Sequence, residues 1–234
     1  MLKNNAKSKL FFKHFEFIIV ETKEELEAAQ KIRQEHYKNI QKISKTASSL
    51  DKDSVHILVK RIKDNKYIGT VRLCINKAHN HLNFKKYYDD MEIDHSYVDL
   101  SDETDAVYCE ITNPITIKSF NDSTLKSTQN SMNLAMISAC IVLFKKLNLK
   151  SAAYITERAK LKSLKLEGYN FHKVGPEQGD QIKRCLYVIR DSDLKKIHKK
   201  KTESAYMYRH LEVKINFTHP LIPVCEYNQK SEYF

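Results

Sequence analysis

Residues 151–168 read Ser-Ala-Ala-Tyr-Ile-Thr-Glu-Arg-Ala-Lys-Leu-Lys-Ser-Leu-Lys-Leu-Glu-Gly. The first six residues form a short apolar run that predicts a β-strand. Residues 158–167 have the apolar spacing of a helix, and Gly168 predicts its end, because glycine readily adopts the left-handed backbone conformation that follows a helix C-terminus. A strand followed directly by a helix is typical of an α/β domain.

The segments on either side continue this alternation. Upstream, we predict a strand at 15–20, a helix capped by Thr22, a hairpin of 55–60 and 67–75 around Asp64-Asn65, a short helix near 85–91, a strand at 106–117 and a long helix that begins near 121–123. Pro114 predicts a bulge or an edge in its strand. Downstream, we predict strands at 169–174 and 185–189 and a basic helix at 191–211.

No Pro-, Gly- or Ser-rich linker and no repeat interrupts this order, so we expect one α/β domain. We place it at 15–211, with an N-terminal extension at 1–14 and a tail at 212–234. The chain has 234 residues, of which 41% are hydrophobic, which is enough for a well-packed core.

Glycine and cysteine usage excludes several classes of protein. There are only 4 glycines, and neither a G-x-G-x-x-G nor a Walker A loop occurs, which excludes nucleotide-binding enzymes of those kinds. The 5 cysteines are widely spaced without a C-x-x-C pair, which indicates neither a disulfide framework nor a zinc knuckle. The most apolar run, 134–144, is too short to span a bilayer, and the start of the chain is polar, so we expect a cytoplasmic protein.

The positive charge lies mainly in the second half of the chain. Residues 121–234 carry 20 basic and 11 acidic side chains, a net charge of +9, out of +11 for the whole chain. This surface either solubilises the protein or attracts a polyanion. We find no aromatic-basic RNA motif and no helix-turn-helix, so no specific nucleic-acid partner is predicted.

Charged residues inside apolar patterns are the candidates for chemistry, because a lone buried ion is costly. Arg33 lies in the apolar stripe of the first predicted helix, Arg72 and Glu110 lie within strands, and Asp51 and Asp53 precede the hairpin. Such residues make either a polar site, in which Glu110 could act as a general base, or a structural ion-pair network.

The same residues carry a resemblance to a known family. Lys-Ile-Arg-Gln-Glu-His-Tyr at 31–37, Asp51-x-Asp53, Tyr-Ile-Gly-Thr-Val-Arg-Leu at 67–73 and Cys-Glu-Ile-Thr at 109–112 occur in the order of the acyl-homoserine-lactone synthases. The sequence resembles still more closely the related N-acyl amino acid synthases and exosortase-associated acyltransferases. The resemblance covers residues 15–190.

This resemblance implies a GNAT-like fold, with a central mixed, mostly antiparallel sheet flanked by helices. It implies transfer of a fatty acyl group from acyl carrier protein, or from acyl-CoA, to the amine of an amino acid or similar small amine, with no tightly bound cofactor. Glu110 would take the amine proton, within an ion cluster of Arg33, Asp51, Asp53 and Arg72. Release of the lipid product implies peripheral membrane contact.

Two further sets of residues are expected to bind the substrate and, because of the positive charge of 121–234, the donor. The expected substrate-binding residues are Tyr37, Tyr108, Thr112 and Asn113. The lysines expected to dock acyl carrier protein are Lys145, Lys146, Lys150, Lys160, Lys162 and Lys165.

Departures from the family pattern narrow the function. Asn113 stands where the family commonly has an Arg that would hold an acceptor carboxylate, which favours a module without catalytic activity. The Trp usual in the lactone-forming branch is absent, which favours the acyl amino acid branch. No glycine occurs at 118–126, which favours acyl carrier protein over coenzyme A as the donor. The alternatives are a lactone synthase that uses S-adenosylmethionine and a GNAT-like interaction module without catalytic activity.

Two other groups of residues do not predict a site. His79, Asn80, His81 and His95 suggest a metal site, but their loop has no convincing third ligand at a standard spacing, so we expect solvated loop histidines and no metal site. Cys109 points away from Glu110 by strand alternation, so we expect a buried structural thiol.

Overall fold

The computed structural model describes residues 2–41, 54–75, 108–112, 114–117, 123–179, 183–194, 197, 200 and 202–215. Several predictions fall elsewhere in the chain. Asp51, Asp53, Asn113, the short helix near 85–91 and the loop histidines all lie outside the described residues.

The described strands form one mixed sheet. They are β1 (Phe15–Ile19), β2 (Ser54–Arg61), β3 (Lys66–Ile75), β4 (Tyr108–Ile111), β5 (Ile115–Thr116), β6 (Ser151–Thr156), β7 (His172–Lys173) and β8 (Cys185–Arg190). Their spatial order is β1-β2-β3-β4-β6-β8-β7, and β5 pairs with β3. The β4–β6 pair is parallel and the other described ladders are antiparallel. The expected α/β class with a mostly antiparallel sheet is confirmed.

Helices cover both faces of the sheet. They are α1 (Leu2–His14), α2 (Lys23–Gln41), α3 (Ser123–Lys146), α4 (Arg158–Glu167), α5 (Asp191–Leu194) and α6 (Glu203–Lys214). The main core joins α3, α4, α6 and the end of α1 to one face of the sheet. Helix α2 packs on the opposite face, where Leu26, Ala29 and Ile32 contact Leu58 and Ile115.

Local signals explain several element boundaries. Thr22 and Glu25 form a capping box, because the Thr22 hydroxyl accepts from the Glu25 N–H at 3.2 Å and the Glu25 carboxylate accepts from the Thr22 N–H at 3.3 Å. Asn65 has φ 55° in the turn of the β2–β3 hairpin. Gly168 has φ 113°, and its N–H bonds back to the last turn of α4, as the sequence predicts.

Two boundary predictions are wrong. The single helix predicted at 191–211 is two helices, α5 and α6, because Thr202 takes an extended conformation and caps a new helix, its hydroxyl accepting from the Ala205 N–H at 3.4 Å. The strand predicted at 169–174 is only β7, since Tyr169 and Phe171 are buried in the core and not paired in a ladder among the described strands.

Within the part of the chain that the structure describes, we find no helix with the length and apolar character needed to cross a membrane.

Candidate active site

The face of the sheet that meets α2 is polar at its centre. The register pairs Ser54 with Cys74 and His56 with Arg72 across β2 and β3, and it pairs Cys74 with Glu110 across β3 and β4. Cross-strand partners project from the same face of a sheet. These five side chains therefore share one face.

Helix α2 brings Arg33 onto this face. Its apolar stripe packs on the sheet, and Arg33, in the same stripe, is only 8% exposed. The Arg33 Nη2 atom donates to His56 Nδ1 at 2.7 Å, and His56 is only 1% exposed. The prediction that Arg33 lies on the buried face of its helix is confirmed.

Arg72 and Glu110 belong to the same buried cluster as Arg33. Arg72 is 7% exposed and Glu110 is 4% exposed. Burial raises the pKa of the Cys74 thiol to about 11, while the guanidinium of Arg72 lowers that pKa and the carboxylate of Glu110 raises it. Arg33 also lowers the Cys74 pKa, so all three charges lie close to this one thiol.

Ser54 forms a hydrogen bond with Cys74 within this cluster. The Ser54 hydroxyl donates to the Cys74 sulfur at 3.1 Å, and both side chains are buried. With its pKa raised, Cys74 is a neutral thiol at neutral pH and therefore a poor nucleophile. The cluster's charges are thus carried by Arg33, Arg72 and Glu110 among the residues described.

A β-bulge follows Glu110, as Pro114 predicts. Leu73 pairs with Ile111 and Thr70 pairs with Ile115, so the register against β3 shifts by one residue between these two pairs. Thr112 secures the bulge, because its N–H donates to the Arg72 carbonyl at 3.1 Å and its hydroxyl accepts from the Arg72 N–H at 3.3 Å.

The bulge coincides with the point where two neighbouring strands separate. In the described part of the sheet, the parallel ladder between β4 and β6 ends at Ile111 and Tyr154. Beyond it, β5 pairs with β3, while Ile155 and Thr156 pair with β8. The end of the described β4–β6 ladder therefore lies one residue beyond Glu110.

The other predicted substrate-binding residues are less fully placed. Thr112 is next to the cluster, and its hydroxyl contacts the Arg72 backbone. Tyr37 lies near the end of α2 and Tyr108 begins β4, and only their backbone positions are described. Their contact with a substrate stays a prediction.

The predicted docking lysines divide into two sets. Two of them, the α3 lysines, hold α3 to α6: Lys145 lies 3.7 Å from the Glu212 carboxylate, and the Lys146 ammonium donates to the Ile215 carbonyl. The other four are exposed. Lys150 directly precedes β6, and Lys160, Lys162 and Lys165 lie on α4. We refer to the last three as the α4 lysines.

Cys109 lies on the opposite face from Glu110, as strand alternation predicts. It is fully buried in the main core, and burial raises the pKa of its thiol well above the usual value. Its role is therefore that of a packed structural thiol.

Sequence reasoning missed His56, Ser54 and Cys74. His56 is a polar residue within the apolar run Val55-His56-Ile57, the same signal that singled out Arg72. Placing it in the site also requires the hairpin register that sets His56 opposite Arg72, which composition alone does not supply.

No protein-family model matches the sequence, and a search of curated proteins finds no match. Solved structures do match. The first is the AHL synthase LasI, with a TM-score of 0.56 and 13% identity over 76% of this chain and 90% of LasI. The second is the CoA-dependent acyl-homoserine lactone synthase BjaI, in a structure with SAM and isopentyl-CoA, with a TM-score of 0.55 and 13% identity over 92% of this chain and 99% of BjaI.

The chain has the fold of the acyl-homoserine lactone synthases. A third structure of this kind is that of MesI, also described as a CoA-dependent acyl-homoserine lactone synthase, with a TM-score of 0.51 and 11% identity over 87% of this chain and 97% of MesI. The expected resemblance to these synthases is confirmed at the level of the fold. At these identities the similarity shows a shared fold and does not show a shared function.

Proposed function

We propose that the chain is an N-acyltransferase that moves a fatty acyl group from the thioester of acyl carrier protein to the amine of an amino acid or a similar small amine. One observation carries the proposal. The buried Glu110 carboxylate lies in a cluster with Arg33 and Arg72, one residue before the described β4–β6 ladder ends. The synthase fold agrees with it.

In the proposed reaction, Glu110 acts as the general base. It accepts a proton from the acceptor amine, directly or through water, as the nitrogen attacks the thioester carbonyl carbon. The new C–N bond forms an oxyanion, for which backbone N–H groups near the bulge are the expected donors. The C–S bond then breaks, and the proton held by Glu110 passes to the departing thiolate. An amide and a free thiol are the products.

We further propose that the donor binds where the β4–β6 ladder ends, next to Glu110. Acyl carrier protein and coenzyme A both present the acyl group on a pantetheine arm, which is extended and carries amide groups. An extended chain with amides can bind to the backbone groups of separated strands, as an added strand does at a sheet edge. The arm would place the thioester carbon beside Glu110.

Surface charge supports acyl carrier protein as the donor. Arg158 and the α4 lysines are exposed on one short helix, and carrier proteins are acidic. Opposite charges mainly raise the rate of encounter between two proteins. The α3 lysines are engaged with α6, so we now assign them to that contact and the docking role to α4. We also propose that the reaction takes place in the cytoplasm, with release of the product at a membrane surface.

A second candidate is lactone synthesis from S-adenosylmethionine. The likeness to BjaI, whose structure is described with SAM and isopentyl-CoA, supports this alternative. The two candidates differ in the acceptor, and they share the acyl transfer to an amine.

The test is to incubate the purified protein with acyl carrier proteins and acyl-CoAs of several chain lengths. Each donor is offered a mixture of amino acids or S-adenosylmethionine, and mass spectrometry identifies the products. We expect an acylated amino acid or small amine, formed faster from the carrier-protein donor. A homoserine lactone product would establish the second candidate. No acylated product from any combination would contradict both and leave the interaction module.

A further inference from the structure

His56 lies at the centre of the polar face, and nothing in the sequence pattern assigned it a role. It is only 1% exposed, as deeply buried as Cys74 in the same cluster. It has Arg33 on one side, across 2.7 Å, and Arg72 as its cross-strand partner on β3. A histidine between two arginines calls for a physical explanation.

The contact with Arg33 determines the protonation of the ring. A guanidinium has only N–H donors, so the imidazole nitrogen that faces it must accept the hydrogen bond. His56 Nδ1 therefore carries no proton, and in the neutral ring the proton lies on Nε2.

We propose that His56 is a positioning residue: a neutral imidazole, protonated on Nε2, whose Nδ1 atom holds the Arg33 guanidinium against the Glu110 face of the sheet. Helix α2 supplies Arg33 from above the sheet, on a long side chain with many rotamers. A fixed acceptor on β2 selects one orientation of its planar guanidinium. The expected effect on the reaction rate rests on the proposed acyl transfer. The expected tautomer of His56 rests only on its contact with Arg33.

The structural consequence is tested by NMR of the full-length protein labelled with nitrogen-15 in its histidines. A spectrum that correlates ring nitrogens with ring carbon-bound protons distinguishes the two neutral tautomers and the imidazolium. The His56 signals are assigned as those lost in His56→Asn. We expect the Nε2–H tautomer at pH 7.5. An Nδ1–H tautomer or an imidazolium would overturn the proposal, whatever reaction the protein catalyses.

The kinetic consequence is tested with two matched variants. His56→Asn keeps an acceptor close to the position of Nδ1, whereas His56→Gln places its amide near the position of Nε2. A hydrogen bond to a charged group contributes enough for its loss to lower kcat/KM by about 10-fold or more. We expect that loss in His56→Gln and substantial recovery in His56→Asn. A merely structural histidine would not distinguish the two variants at equal melting temperature.

A double variant connects the effect to Arg33. If His56 acts through Arg33, adding His56→Gln to Arg33→Met should lower kcat/KM no further than Arg33→Met alone. Additive losses, or equal activity of His56→Gln and wild type, would contradict the positioning role. If the wild-type protein forms no acylated product, the proposed function fails, and the NMR spectrum then decides the His56–Arg33 contact.

Discussion

Replacing Arg33 with methionine removes the charge and the hydrogen-bond donors of the cluster's helical member and keeps an apolar stem of similar length. The structure predicts a loss of stability for two reasons. His56 Nδ1 loses the donor that lies 2.7 Å away, and the buried cluster that contains Glu110 loses one of its two arginines.

The size of the loss follows from burial. Arg33 is 8% exposed and Glu110 is 4% exposed, so solvent screens the interaction only weakly. Removing one partner of a buried ionic network costs about 3–5 kcal/mol. For a protein of this size, each kcal/mol shifts Tm by about 2–4 °C. Taking the lower estimate of the loss, we expect Tm to fall by about 6–12 °C.

The assay is thermal unfolding followed by circular dichroism, with urea unfolding for the free energy. Lys31→Met is the matched control, because Lys31 is on the same helix, is exposed, and loses the same charge. Equal stability of the two variants would refute the burial of Arg33 in a charged cluster. The combined variant Arg33→Met with His56→Leu should be more stable than the sum of the two losses implies, because no unpaired group then remains between them.

Two further predictions concern the thiol and the surface charge. Cys74, with its pKa raised to about 11, should resist iodoacetamide at pH 8 in the folded protein and react in urea, as peptide mass spectrometry would reveal; rapid labelling of the folded protein would contradict its burial. Reversing the α4 lysines to glutamate should raise KM for acyl carrier protein with little change in kcat, and the effect should shrink as salt increases. Reversing the α3 lysines should instead lower Tm, because those residues contact α6; the opposite assignment of the two effects would place the docking surface on α3.

Much of the fold could be predicted because its signals are local. The Thr22–Glu25 capping box, the turn at Asn65 and the stop at Gly168 each depend on residues a few positions apart. The break between α5 and α6 could not be predicted in this way. No glycine or proline interrupts 191–211, and the break depends on Leu194 and Ile197 packing into the core before Thr202 begins a new helix.

The candidate site shows the same difference between local sequence signals and contacts that depend on the fold. Arg33, Arg72 and Glu110 could be found because each charge interrupts an apolar pattern in its own segment. His56 and Cys74 join them only through the pairings His56–Arg72 and Cys74–Glu110, which depend on strand register. A single sequence therefore identifies the charged residues that interrupt an apolar pattern, but it does not identify the residues that strand pairing places beside them.

The central claim is that Glu110 is the base of an acyl transfer, and its most direct test is the rate of amide formation at saturating donor and acceptor in Glu110→Gln. Glu203→Gln is the control, because Glu203 is also a buried glutamate but binds Ser131 at 2.6 Å in the contact between α3 and α6. We predict a fall of about 100-fold or more for Glu110→Gln, with an unchanged circular dichroism spectrum, and a rate close to wild type for Glu203→Gln. A wild-type rate in Glu110→Gln would contradict the claim.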